Sequence, residues 1–165
     1  MSDVIIGIDN GLKGGLCAIS SEHGLVIRHT PMPVKDIGNK TEVDVSGLVS
    51  WIKDFTGDDV VVAIEEPLKH ARSSQAMRSM AISFGKCLGA CETIPVSVYR
   101  IQVTDWQKKI LGRVAKGQTK ARALAVADSI WSGESWLASA RSRTPHDGIV
   151  DAALIAHYTR TTLKP

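Results

Sequence analysis

The chain predicts an α/β fold: a mixed five-stranded sheet, built from three antiparallel strands and then strands that alternate with helices, with helices covering its faces. Three observations predict it. Three short apolar, β-branched runs open the chain with turn-length links between them. Two further runs, Val60–Glu65 and Val96–Ile101, each follow a stretch whose apolar residues have helical spacing. From Thr104 onward only helical patterns and polar connections occur. At 165 residues there is room for one domain, 1–165, with a real core. No internal repeat or low-complexity linker divides it.

In order, Val4–Asp9 reads as a buried strand and Gly11, Gly14 and Gly15 as a turn. Leu16–Ser20 and Leu25–Thr30 are the next two strands, joined by Ser21–Gly24, a link short enough for a hairpin. Pro31 to Thr41 reads as a loop. Leu48, Val49, Ile52 and Phe55 give Asp44–Phe55 a helical spacing. Val60–Glu65 is apolar until it ends in Glu65 and Glu66, and Pro67 stops it. Ser73–Thr93 predicts a long helix with Met77, Met80, Ala81, Phe84 and Leu88 as its apolar stripe. Gly85 and Gly89 share one face of it, and close packing against another backbone would explain two residues of poor helix propensity. Val96–Ile101 is the fifth strand. Thr104 and Gln107 form a capping box for a helix Asp105–Leu111, and Lys120–Trp131 is a further helix. Ser132–Arg143 is a polar loop containing Trp136. The last helix begins with Thr144 as N-cap, Pro145 at its first position and Asp147 at its third, and turns Ile149, Ala152, Ala153 and Ala156 inward.

Composition excludes several classes. No apolar run is long enough to span a bilayer, and Met1–Asp9 lacks the features of a secretion signal, so a cytoplasmic protein is expected. Cys17, Cys87 and Cys91, an odd count without paired spacing, argue against a disulfide framework and read as buried reduced thiols. The net charge of +3 decides nothing about partners. Its distribution says more: Lys69–Lys86 carries Lys69, Arg72, Arg78 and Lys86 without an acid, and Lys108–Arg122 carries six bases without one. Such segments are solvated helix faces unless an acidic site lies beside them.

An acidic site is predicted. Carboxylates are costly in a core unless paired or metal-bound, and three fall where the pattern is apolar. Asp9 ends the first strand, Glu65 ends the fourth, and Asp151 lies inside an Ala-rich helix four residues after Asp147, on the same helical face. If the first and fourth strands are neighbours, the last helix can dock Asp147 and Asp151 against Asp9 and Glu65. Such a cluster would raise its own pKa values, and divalent cations remove the repulsion. All-oxygen donors suit Mg²⁺ or Mn²⁺, and two ions about 3.5–4 Å apart can hydrolyse a phosphodiester. Each acid also has a structural reading: a turn at Asp9, exposed strand-end charges at Glu65 and Glu66, a helix-dipole role for Asp147. Asp151 is hardest to read that way, because Val150, Ala152 and Ala153 surround it. His146 is a ligand, a proton carrier or a surface residue.

Gly7–Ile8–Asp9–Asn10–Gly11, Ala63–Ile64–Glu65 and His146–Asp147–Gly148–Ile149–Val150–Asp151–Ala152 together resemble the RuvC Holliday junction resolvases, the last motif most like the phage-encoded branch. Each motif alone is weak, since Asp-x-Gly after a strand also occurs in sugar kinases and actin-type ATPases. The three in this order and spacing are specific, and the element order corresponds over nearly the whole chain. The resemblance implies an RNase H-like fold, Mg²⁺ (or Mn²⁺) at the acids, and a homodimer contacting through the long helix. It also implies symmetric cutting of two strands of a four-way junction, leaving 5′-phosphate ends. Asp9, Glu65 and Asp151 carry over directly as catalytic metal ligands. Typical bacterial members place the penultimate acid or His three residues before the last Asp; that position here is Gly148, and the acid is Asp147. They also place a wedging aromatic three residues after the Glu, where this chain has Leu68. An apolar Leu68 is a weaker wedge, which puts strict junction selectivity in doubt; phage members of the group resemble debranching enzymes that accept several branched DNAs.

Phosphate contacts are expected from Lys69, Arg72, Lys116, Lys120 and Arg122, with Lys120 near the scissile phosphate. Trp136, in its polar loop, is the candidate for stacking on bases, whereas Trp106 and Trp131 read as core. Two other nuclease substrates, RNA–DNA hybrid and flapped DNA, suit the same site. An actin-like ATPase needs two such domains and leaves Asp147 and Asp151 unexplained, and a pure junction binder gains nothing from carboxylates facing phosphates. No branch-migration partner can be named, and neither recombination nor the clearing of branched DNA is preferred.

Overall fold

The computed structural model describes residues 3–55, 59–69, 73–163 and 165. Five strands form the main sheet: β1 (Val4–Asp9), β2 (Gly15–Ser20), β3 (Val26–Pro31), β6 (Val60–Glu65) and β7 (Ser97–Ile101). Their order is β3-β2-β1-β6-β7, antiparallel across β1, β2 and β3 and parallel across β1, β6 and β7. This is the predicted mixed α/β sheet. The apolar runs are buried on both faces, and side chains along a strand alternate between them. Ile5, Val61 and Ala63 meet α3 (Val103–Ile110), α4 (Thr119–Ile130) and α5 (Asp147–Tyr158) on one face; Ile6, Ile8, Val62 and Ile64 meet α1 (Val45–Lys53) and α2 (Ser74–Glu92) on the other. All three cysteines are free and buried.

Four expectations need correction. The stretch read as a loop contains a hairpin, β4 (Val34–Ile37) and β5 (Lys40–Val43), paired from Val34↔Val43 to Ile37↔Lys40. The connecting Gly38 has φ +63°, which matches the Gly-Asn signal of a two-residue hairpin turn; the charged, exposed strands conceal it from an apolar reading. The capping box at Thr104 is absent, since α3 begins at Val103 with Gln102 as an N-cap that makes no side-chain capping bond. His146, not Thr144, caps α5, its Nδ1 accepting from the Ile149 N–H at 3.3 Å, so Asp147 is the first helical residue and not the third.

The fourth correction is the orientation of α2. Its buried face is Ser83, Cys87, Ala90 and Cys91, small side chains that let the helix sit close to the sheet. The predicted stripe is inward only in part: Phe84 and Leu88 are half-buried and pack against the core, Met80 is half-buried, Met77 is 41% exposed and Ala81 is exposed. Among the described residues, leaving out the helix's own nearby backbone, no atom lies within 4 Å of a Cβ built on Gly85 or Gly89, so packing on the chain's own sheet does not explain those glycines.

Candidate active site

Parallel pairing of β1 with β6 aligns Ile8 with Ile64, so Asp9 and Glu65 leave adjacent strands at the same sheet edge. Helix α5 brings the other acids by lying on β1 and β2 at backbone distance. A Cβ on Gly7 would stand 1.9 Å from the Ala152 carbonyl oxygen, and one on Gly15 would stand 2.7 Å from the Ile149 nitrogen. Gly14 and Gly148 form a backbone bridge, and a Cβ on Gly148 would come within 2.5 Å of Gly14 Cα. This contact accounts for the displaced acid. A side chain has no room at position 148, so the second helical carboxylate stands one residue earlier, at the exposed Asp147, with Asp151 one turn on.

Each strand-end carboxylate is held. The Gly11 N–H donates to Asp9 Oδ1 at 3.2 Å. The Trp106 indole N–H donates to Glu65 Oε1 at 2.7 Å, and the Asn10 amide donates to the Glu65 backbone carbonyl. Glu66 is turned to other use, accepting from the Gln102 amide, which separates it from Glu65. Asp147 Oδ2 pairs with Lys120 Nζ at the exposed edge. Sequence reasoning missed Asn10 and Trp106 as parts of the site. The sequence signal for Trp106 stops at the need of a buried indole N–H for an acceptor; that the acceptor is Glu65 comes from the fold.

The acids share one field. Burial, reinforced by the Asp9 charge and partly offset by the Trp106 bond, pushes Glu65 up to about 8. Burial, with the charges of Asp9 and Asp147, pushes Asp151 up to about 7, while Lys120 opposes the shift. Asp9 is also raised by burial, tempered by the Gly11 bond and the nearby His146. Asp9, Glu65 and Asp151 therefore form the coupled centre, and Asp147 joins it through Asp151 and Lys120. Among the described residues, no three His, Cys, Asp or Glu side chains already close around a point that would hold a metal ion. The donor chemistry nonetheless fits a hard divalent cation: carboxylate oxygens that raise one another's pKa lose that penalty when a dication shares their field.

The predicted nucleic-acid residues divide. Leu68, 50% exposed, and Lys69 stand beyond the end of β6 and line a small cavity with Glu66, Gln102 and Thr104. Lys116 and Lys120 are exposed; Arg122 is exposed and donates through Nε to the Leu111 carbonyl at 3.1 Å. Arg72 lies outside the described residues. Trp136 does not fit its expected role, because it is 3% exposed, stands edge-on to Trp131 and donates to Asp128 Oδ1 at 3.0 Å. Trp106 and Trp131 are core, as expected.

No family model matches the chain, and no curated protein does. Solved structures do. A Thermus thermophilus RuvC in complex with a Holliday junction substrate superposes with a TM-score of 0.62 at 15% identity, over 96% of each chain. A second Thermus thermophilus RuvC structure gives 0.55 at 18% identity, over 95% of each chain. The chain thus has the RuvC-like RNase H fold, an assignment made on architecture at low identity.

Proposed function

We propose that the chain is a metal-dependent, structure-selective endodeoxyribonuclease that resolves four-way DNA junctions and related branched DNA. The observation that carries this reading is the convergence of Asp9, Glu65 and Asp151 from β1, β6 and α5 into one carboxylate centre, in which the Asp9 charge raises Glu65 and Asp151. The junction-bound structural neighbour supports the choice of substrate.

In this reading Asp9, Glu65, Asp147 and Asp151 hold two Mg²⁺ or Mn²⁺ ions, which when bound supply Lewis-acid activation of water and stabilisation of the leaving oxygen. The chain's own groups do the positioning. Trp106 fixes which way Glu65 presents its carboxylate, and the Gly11 amide does the same for Asp9. His146, whose Nδ1 accepts from the Ile149 N–H, would carry a proton at the site's edge through Nε2. Lys120 balances Asp147 and offers a cation to the scissile phosphate. The exposed side of α2, with Met77 outside and Gly85 and Gly89 open, is the surface through which two copies would pair to cut two strands symmetrically. Leu68 supplies an apolar contact at the junction without an aromatic wedge, which favours tolerance for several branched substrates.

Asp9→Asn or Asp151→Asn should abolish Mg²⁺-dependent cleavage while junction binding persists, as read by gel shift and by denaturing gels on the same labelled junction. Cutting by either variant at the wild-type rate would remove the proposed centre. Running a hybrid, a flap and a plain duplex beside the junction separates the other RNase H-like substrates from this one.

A further inference from the structure

A cavity of about 770 Å³ lies between the β4–β5 hairpin and the N-terminal half of α2, apart from the carboxylate centre. Lys40 and Arg78, both exposed, line it together with the hydroxyls of Thr41, Ser74 and Ser79. The acid among its described lining residues, Glu42, is paired with Lys86 and also feels Lys40 and Lys35, so basic charge is in excess. Helix α2, which has no acid in its first turn, begins at this cavity with Ser74 and adds its positive dipole end. Leu12, which follows Gly11 in the loop that holds the Asp9 carboxylate, also lines the cavity.

We propose that this groove binds the sugar–phosphate backbone of a DNA strand that continues past the carboxylate site, with Lys40 and Arg78 on phosphates and the hydroxyls of Ser74 and Ser79 donating to phosphate oxygens, while the Thr41 hydroxyl donates to Asp36 within the hairpin. The identity of the polymer rests on the nuclease reading above. Contacts of this kind set the register of the strand and carry no sequence preference. The hairpin acts as one wall of a strand guide.

The test uses the full chain, a fluorescent four-way junction and a linear duplex, in metal-free buffer so that nothing is cut. Binding is titrated across a range of salt concentrations for the wild type and for the Lys40→Ala/Arg78→Ala double variant. Each phosphate contact removed should lower the slope of log K against log salt by roughly 0.9, so the double variant should lose close to two in slope and about tenfold or more in affinity. Its melting temperature should match the wild type, and the charge-keeping Lys40→Arg/Arg78→Lys variant should keep most of the slope. Unchanged affinity and slope in the double variant would overturn the groove, as would a loss of affinity with no change in slope. Wild-type protein that binds with the expected salt dependence but cuts no branched DNA would remove the nuclease reading and leave the groove standing. Wild-type protein that binds no DNA would overturn both.

Discussion

Glu65 is held at two points, its carboxylate by the Trp106 indole and its carbonyl by the Asn10 amide. Trp106→Phe deletes the donor and, at a fully buried position, also leaves space in the core, so the melting temperature should fall. At a temperature where the variant is folded, divalent-ion affinity, read by calorimetry, should be lower by about 10–100-fold; unaltered affinity would make the bond incidental. The protonation of the centre gives a second prediction. Glu65 and Asp151 are raised on folding, to about 8 and about 7, so between the ordinary carboxylate range and those values the native state binds more protons than the unfolded chain. Stability must then fall as pH rises through that window. Melts of metal-free protein should show lower stability at pH about 8.5 than at about 6.5, a gap that Glu65→Gln/Asp151→Asn narrows and that Mg²⁺ closes most at the higher pH. A flat profile in the wild type would contradict the coupled centre. Asp9, Glu65 and Asp151 were legible in the sequence because a carboxylate at the end or in the middle of an apolar run has few inexpensive explanations. Trp106 was not, because its acceptor lies 41 residues away and only the fold joins them.

Helix α5 is the element on which the site depends. Its backbone rests on Gly7, Gly14 and Gly15, and Gly148 has no space for a methyl group. Gly148→Ala should destabilise the protein by about 1–3 kcal/mol and reduce cleavage further than that loss of folded protein explains, because the helix carrying Asp147 and Asp151 must shift. Gly85→Ala, at an open position of α2, should not destabilise the folded chain. Thermal melts of the two variants check the contrast; a Gly148→Ala variant that melts as high as Gly85→Ala would mean that the close approach of α5 to the sheet does not limit the side chain at 148. At this scale the sequence was readable where periodicity carries the signal, as in β1, β2, β6 and the bodies of the helices. It was unreadable where small residues decide which face is buried. Helix α2 turns Ser83, Cys87, Ala90 and Cys91 inward and leaves Met77 outside, because close approach to the sheet favours small side chains over large apolar ones.

Across the whole molecule, two apolar clusters on opposite faces of one mixed sheet leave the ends of β1 and β6 free to carry acids, with α5 laid across them. The mixed character of the sheet followed from hairpin-length links and helical crossovers and was legible in the sequence, whereas the pairing of β1 with β6 was only a condition there. The β4–β5 hairpin was not legible, since its exposed strands bury little and resemble a polar loop. The central claim is that this arrangement cuts branched DNA as a symmetric pair of sites. Its most direct test is cleavage of a four-way junction labelled on each strand in turn, by wild-type protein in Mg²⁺, with the product ends mapped. Paired cuts at symmetric positions in two opposed strands, with 5′-phosphate ends and ligatable nicks, are the result the account predicts. Asymmetric single cuts, or equal cutting of plain duplex, would contradict it.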